Sequence, residues 1–387
     1  MAKILIWADA GCTTGFGIVT HEIATRMCKD GHDVHILAIN YKGDPWDAPY
    51  KLYPAALQGN FFGLNRLKPL YEQLQPDLMF MLNDLDVIYD GWEQFDKRWP
   101  VRTLVYFPVD ATDWPKYVWQ PLQDPLALLA VQSNFGKAVV KNEAGLHATT
   151  VWHGVDHNIF LPVSKKRQIM FNGVKYTSKE SLKSVVNMQN KFVVLATNRN
   201  THRKNYPDTL RVFAEFHRRH HDSKMLIHAF QKDEGGDLRF LIERYGLQDA
   251  VAFSNPRDFV HGVPKEVLSI YYNLADVKIS MSLGEGFGMT DLEAIACGTP
   301  VVAQDFSATS EVVGGGGILI KPLHAYTAPR MADYRWPDVS GFLAALEHLY
   351  LSPRFRKERG QVGYQHAQQF SWDKAYEKLR ELIGRAR

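Results

Sequence analysis

The chain has 387 residues, 45% of them hydrophobic and 22% charged. That length exceeds what a single hydrophobic core supports, and the composition excludes disordered and fibrous classes. A formal charge of +3 does not by itself demand a nucleic-acid partner. Cys12, Cys28 and Cys297 are scattered without CxxC spacing, which argues against a disulfide framework and a structural zinc site.

In chain order, residues 4–7 read as a buried first strand, since Asp9 and a Gly/Thr turn interrupt the run too early for a signal sequence. A Gly-rich turn over 11–17 leads to a helix ending near Lys29, and residues 34–39 form the next strand. This is a βαβ unit, which implies a parallel sheet. Short apolar runs at 78–82, 103–107, 126–131 and 149–152 continue it. Residues 162–190 are polar and lysine-rich. Alternation resumes with a strand at 192–196 and a helix at 208–220, then strands at 225–227, 251–253, 277–280 and 300–303, and a last helix at 372–385. The expected organisation is a first α/β domain over 1–165, a hinge and surface excursion at 166–190, and a second α/β domain over 191–369. Such doubly wound folds bind ligands at the carboxyl ends of their strands. No apolar run is long enough to cross a bilayer, so a cytoplasmic protein is expected.

Three segments carry chemistry. In the first, Gly284-Glu285-Gly286-Phe287-Gly288-Met289-Thr290-Asp291-Leu292-Glu293, a Gly-broken turn precedes a helix start, whose free amides and dipole suit an anion. Glu285 in the turn and Glu293 in the helix offer carboxylates, each able to accept two hydroxyls of a sugar ring or a ribose. The competing reading of Thr290-Asp291-Leu292-Glu293 is a capping box. In the second, 196–205, Arg199, Arg203 and Lys204 fall within six residues after a strand, and such cations stabilise a leaving diphosphate. In the third, Gly15 and Gly17 precede a helix, but Thr20 replaces the last glycine of a dinucleotide fingerprint and no acidic residue ends the second strand. A nicotinamide enzyme is therefore disfavoured.

The run from Gly284 to Glu293 resembles the Glu-x7-Glu signature of the retaining GT-B glycosyltransferases of family 4, which have two Rossmann-like domains facing each other across a cleft and a last helix, here 370–387, that crosses back to the first domain. The resemblance implies that Glu285 contacts donor-sugar hydroxyls and Glu293 the nucleotide ribose. The amides of Phe287, Gly288, Met289 and Thr290 would face sugar and diphosphate. Arg199 and Lys204 keep the family's Arg-x4-Lys spacing and take the diphosphate role, with Asn205 where a glycine is usual, while Arg203 is uncommitted. Gly15 and Gly17 match the first-loop glycine pair. Asn255 and Arg257 lie in the segment that resembles the nucleobase-reading loop. Asp110 stands near the position of the family's acceptor-side histidine and is a candidate for orienting the acceptor, an Asx turn after Pro108 being the rival explanation.

The implied activity is retaining, metal-independent, front-face transfer from a UDP or GDP sugar, with no cofactor. The acceptor expected is a saccharide or glycan precursor. The alternatives are a hydroxylated base in DNA or RNA, given seven tryptophans before the hinge, and a non-catalytic nucleotide-sugar-binding protein. Asp84-Leu85-Asp86 has the spacing of a metal-holding pair but reads as surface carboxylates, and no metal site is expected.

Overall fold

The computed structural model describes all residues except 12–13, 58, 255–261, 386–387 and the side chain at 385. The chain divides into two compact units. The first comprises Met1–Gly154, Thr327–Asp333 and Trp372–Arg387, and the second Val155–Tyr326 and Tyr334–Ser371.

In the first unit the strands are β1 (Lys3–Asp9), β2 (Asp33–Ile39), β3 (Lys51–Pro54), β4 (Leu78–Leu82), β5 (Thr103–Phe107), β6 (Ala127–Val131) and β7 (Thr149–Thr150). They form one parallel sheet in the order β3-β2-β1-β4-β5-β6-β7. β4 and β5 are buried at every position, which is why they appear in the sequence as unbroken apolar runs. β3 lacks that signature, being a short edge strand that ends in Pro54, where proline is tolerated. The helix Trp372–Arg385 is tied into this unit by Arg26–Asp373 at 2.8 Å and by Tyr376 donating to Asp30 at 3.0 Å.

The second unit opens with a hairpin, β8 (Ile169–Phe171) and β9 (Val174–Tyr176). It continues with β10 (Phe192–Thr197), β11 (Ser223–His228), the short pair β12 (Lys232–Asp233) and β13 (Gly236–Asp237), then β14 (Val251–Phe253), β15 (Val277–Ser280), β16 (Val301–Gln304) and β17 (Gly317–Ile320). Its six-stranded sheet runs β14-β11-β10-β15-β16-β17, all parallel. Numbered within the unit, that is the doubly wound order 3-2-1-4-5-6. Both units are thus Rossmann-like.

The residues expected to form a hinge and excursion, 166–190, count with the second unit from Val155 onward. Their lysines explain why a polar segment packs. Lys183 is buried, with Nζ 2.8 Å from Asp276 Oδ2, and that carboxylate also accepts from the Val193 amide at 2.9 Å. Lys179 donates to the Ala275 carbonyl.

In each sheet the strand order reverses between two neighbours, β1 and β4 in the first and β10 and β15 in the second. Loops leaving the carboxyl ends of such a pair diverge and leave a crevice. In the second unit those loops, 198–205 and 281–288, are the ones that carry the charged motifs.

Packing in the first unit sets one helix against its own propensity. Trp7 is fully buried, its indole N–H held by the Phe62 carbonyl at 2.8 Å, and a Cβ at Gly91 would lie 2.2 Å from Cζ3 of that ring. Helix propensity favours Gly91→Ala by about 1 kcal/mol, whereas overpacking a fixed ring costs about 1–3 kcal/mol. The variant should unfold at lower urea than the parent. A higher midpoint would show that the Trp7 ring gives way.

Candidate active site

The loop after β10 ends in a 3-10 turn, His202–Lys204, and in Asn205 at φ +51°, the residue before the helix Tyr206–Arg219. Asparagine and glycine are the residues that accept that backbone, which accounts for asparagine where the resemblance leads one to expect glycine. Its side chain donates to Asp208 at 3.0 Å, and the Tyr206 hydroxyl donates to the Asn198 carbonyl at 2.9 Å. The loop is also bonded to its neighbour across the crevice, the Leu283 amide donating to the Arg203 carbonyl at 2.8 Å.

This registration brings Lys204 Nζ to 2.5 Å from Glu285 Oε1 and Arg203 to 3.2 Å from Oε2, with Arg203 also donating to the Gly284 carbonyl. The Glu285 amide donates to Ser307 Oγ at 2.8 Å. Ser307 stands at φ +57°, a costly backbone for serine. Burial alone would raise the Glu285 carboxyl, but Lys204 and Arg203 outweigh it and hold the group at about 2. Two cations on one buried carboxylate give the partly buried trio a net charge of +1, an electrostatic preference for an anion.

The helix Met289–Ala296 begins at Gly288, φ +97°. Its carbonyl accepts from the Asp291 and Leu292 amides at 3.0 and 3.1 Å. The amides of Met289 and Thr290 belong to the first turn, where helix geometry supplies no acceptor. Asp291 forms an ion pair with Lys278 of β15, both side chains essentially inaccessible, and this fixes the helix start over the sheet. Phe287 is buried edge-on to Phe370 at 5.9 Å, so this turn offers backbone rather than side chain.

Glu293 is no capping partner. The residue before the helix is Gly288, Thr290 donates to Asn198 Oδ1 at 3.4 Å, and Glu293 Oε2 instead accepts from the buried Tyr272 hydroxyl at 2.7 Å. Burial raises the Glu293 carboxyl to about 7, against the opposing pull of the Tyr272 bond.

Arg199 lies elsewhere. Its Nε is 2.9 Å from Asp233 and its NH2 2.7 Å from Glu234, and its side chain is 58% exposed. The cause is Asn200, fully buried, whose Nδ2 donates to the Phe230 and Gly236 carbonyls at 3.2 and 2.8 Å. Arg203, not Arg199, is the guanidinium beside Glu285. Spacing could not rank the two, although the acidic pair Asp233-Glu234 was the available hint. Arg203, Ser307, Tyr272 and Lys278 are the residues that reading the sequence did not assign.

Gly15, Gly17 and Asp110 belong to the first unit. Both glycines are in the first turn of the helix Gly15–Lys29, where Thr14 accepts from the Gly17 amide at 3.1 Å and donates to Asp9. Asp110 is nearly buried just after β5. Asn255 and Arg257 lie outside the described residues. Asp84 and Asp86 are 3.2 and 3.8 Å from Arg330, so they pair with a guanidinium. Among the described residues no three His, Cys, Asp or Glu side chains are grouped to hold a metal ion.

Residues 178–327, which hold both charged loops, match the family model described as glycosyl transferases group 1. The second unit carries a glycosyl transferases group 1 domain. Relatives of this domain include the D-inositol 3-phosphate glycosyltransferase of Paenarthrobacter aurescens (strain TC1), 33% identical over 153 residues, covering 38% of this chain and 33% of that protein. The protein of the same name from Corynebacterium jeikeium (strain K411) is 32% identical over 181 residues, covering 45% and 38%. The matches thus span about a third of those relatives' length. Among solved structures, sucrose-phosphate synthase from Thermosynechococcus elongatus superposes with a TM-score of 0.74 at 16% identity, over 100% of this chain and 99% of its own. HepE of Anabaena in complex with UDP-glucose gives 0.68 at 16%, over 99% and 100%. At these identities the likeness establishes the fold, the GT-B type of the group 1 enzymes.

A buried carboxyl at about 7 has a consequence for stability. An unfolded glutamate titrates near 4.5, so ionising Glu293 opposes folding, and stability falls as pH rises from about 4.5 to 7 and stays reduced above it. The shift corresponds to roughly 3 kcal/mol. Glu293→Gln should therefore raise Tm at pH 8 and lose that advantage by pH 4.5. The same gain at both pH values would show that the carboxylate is not its source.

Proposed function

We propose that the protein is a retaining glycosyltransferase that moves a hexosyl group from a nucleoside diphosphate sugar to an acceptor hydroxyl. The observation that carries this reading is the trio of buried Glu285 with the partly buried Lys204 and Arg203 beside a glycine-opened helix start, at the strand-order reversal of a group 1 domain.

In the proposed step the anomeric C–O bond to the diphosphate breaks and a C–O bond to the acceptor forms on the same face. The acceptor proton passes to the departing phosphate. Negative charge grows on that phosphate, and Lys204, Arg203 and the amides of Met289 and Thr290 are preorganised to stabilise it. Glu285, kept ionised by its cations, accepts hydroxyls of the transferred sugar, and Glu293 accepts those of the ribose. No metal ion enters this scheme, because the side-chain cations and helix amides take the charge. The free thiols of Cys28 and Cys297 support action in the reducing cytoplasm, and among the described residues no helix is long and apolar enough to cross a membrane.

HepE, solved with UDP-glucose, makes a uridine donor the first to test. The relatives named for D-inositol 3-phosphate make a polyol or sugar acceptor the first class to try. Nothing in these comparisons favours a nucleic-acid acceptor.

Turnover of UDP-glucose, by hydrolysis or transfer, is measured in the presence of EDTA. Lys204→Ala and Glu285→Ala should each lower kcat at least 100-fold, the scale seen when one donor to a developing anion is removed. Full turnover in both folded variants would overturn the assignment. Arg199→Ala reports separately: a tenfold loss means that Arg199 leaves Asp233 and Glu234 to join the bound diphosphate, and unchanged turnover leaves that task to Arg203.

A further inference from the structure

The first unit contains a cavity of about 650 Å³, within the range of small-ligand sites. It lies at the carboxyl ends of β4 and β5, where α/β sheets take their ligands. Asp86 contributes from the helix that follows β4, Trp114 and Tyr117 from the loop after β5, and Pro329, Arg330 and Met331 form the opposite wall.

Both walls are fastened. Glu143 accepts the Asp113 amide at 2.7 Å and the Trp114 amide at 3.0 Å, with Asp113 at φ +56°, and the Trp114 indole donates to the Ala111 carbonyl at 3.0 Å. Tyr117 meets Tyr89 edge-on at 5.0 Å. Opposite, the Asp333 amide donates to the Thr112 carbonyl at 2.7 Å and the Thr112 amide to the Asp333 carbonyl at 3.0 Å, and the Met331 amide donates to the Ala328 carbonyl at 2.8 Å. The group 1 match ends at residue 327, so Pro329–Met331 lie outside the matched residues.

We infer that this cavity binds a neutral saccharide. Fixed aromatic rings beside planar carboxylate and guanidinium groups suit a pyranose, which has apolar C–H faces and a rim of hydroxyls. Charge narrows the class further. The charged side chains of the lining are one carboxylate, Asp86, and one guanidinium, Arg330, 3.8 Å apart, and this balanced pair offers a phosphate no surplus positive charge. The ligand is therefore an uncharged sugar, unlike the phosphorylated compound for which the relatives are named. Its use as the acceptor rests on the transfer reading above; its binding does not.

Saturation-transfer NMR on the full chain, with maltose, cellobiose, N,N′-diacetylchitobiose and inositol 3-phosphate as probes, tests the inference. At least one neutral disaccharide should bind in preference to the phosphorylated probe. Tyr117→Ala, at a side chain 43% exposed, and Arg330→Ala should each weaken that binding at least tenfold with Tm unchanged. Absence of disaccharide binding, preference for the phosphate, or undiminished affinity in both variants overturns it. UDP-glucose hydrolysis separates the two readings: hydrolysis without disaccharide binding sinks only the cavity, and binding without turnover sinks only the transfer.

Discussion

One buried carboxylate against two cations organises the crevice of the second unit. Lys204, Arg203 and Glu285 join two loops that leave different strands, and removing one member of such a buried pair strands its partner at a cost of about 3–5 kcal/mol. The loops cannot drift apart without exposing that cost. In the transfer proposed above, the same three side chains would engage an anionic leaving group and a sugar hydroxyl. Ser307 at φ +57° and Gly288 at φ +97° are the backbone strain and the backbone freedom that let the two loops meet.

Much of this was legible because it depends on burial from both sides. β4 and β5 emerge as apolar runs with their observed bounds, since a parallel sheet covered on both faces leaves no polar alternation to blur them. β3 and β17 escaped, being short edge strands with partly exposed residues. The 166–190 segment misled because lysine is ordinarily a surface residue, and only the position of Asp276, 93 residues from Lys183, turns its charge inward.

The motif residues show the same division. Glu285 and Lys204 fall together because each lies at a fixed distance from the end of a strand at the reversal point. Arg199 and Arg203 are four residues apart on one loop, so composition treats them alike. What separates them is Asn200, whose buried amide binds the carbonyls of Phe230 and Gly236 and so turns Arg199 towards Asp233. That bond spans some thirty residues, and no local pattern encodes it. The capping-box reading of Glu293 fails for a related reason. Gly288, with its positive φ, takes the position before the helix, and the Thr290 side chain turns to Asn198.

Glu285 and Glu293 are eight positions apart, and the fold drives them in opposite directions, one held at about 2 by its cations and the other lifted to about 7 by burial. Environments that separate two carboxyls in this way assign them different tasks. Glu285 is already charged and already bonded, so a sugar hydroxyl must share an existing network, which favours exact fit over strength. Glu293 accepts from the Tyr272 hydroxyl, and burial disfavours its charge. Hydroxyls donated by a ribose would supply the solvation that burial removed. The domain thus stores unfavourable electrostatics at Glu293, a group that hydrogen-bond donors would relieve, and on the proposed reading part of the nucleotide's binding energy would come from relaxing the protein itself.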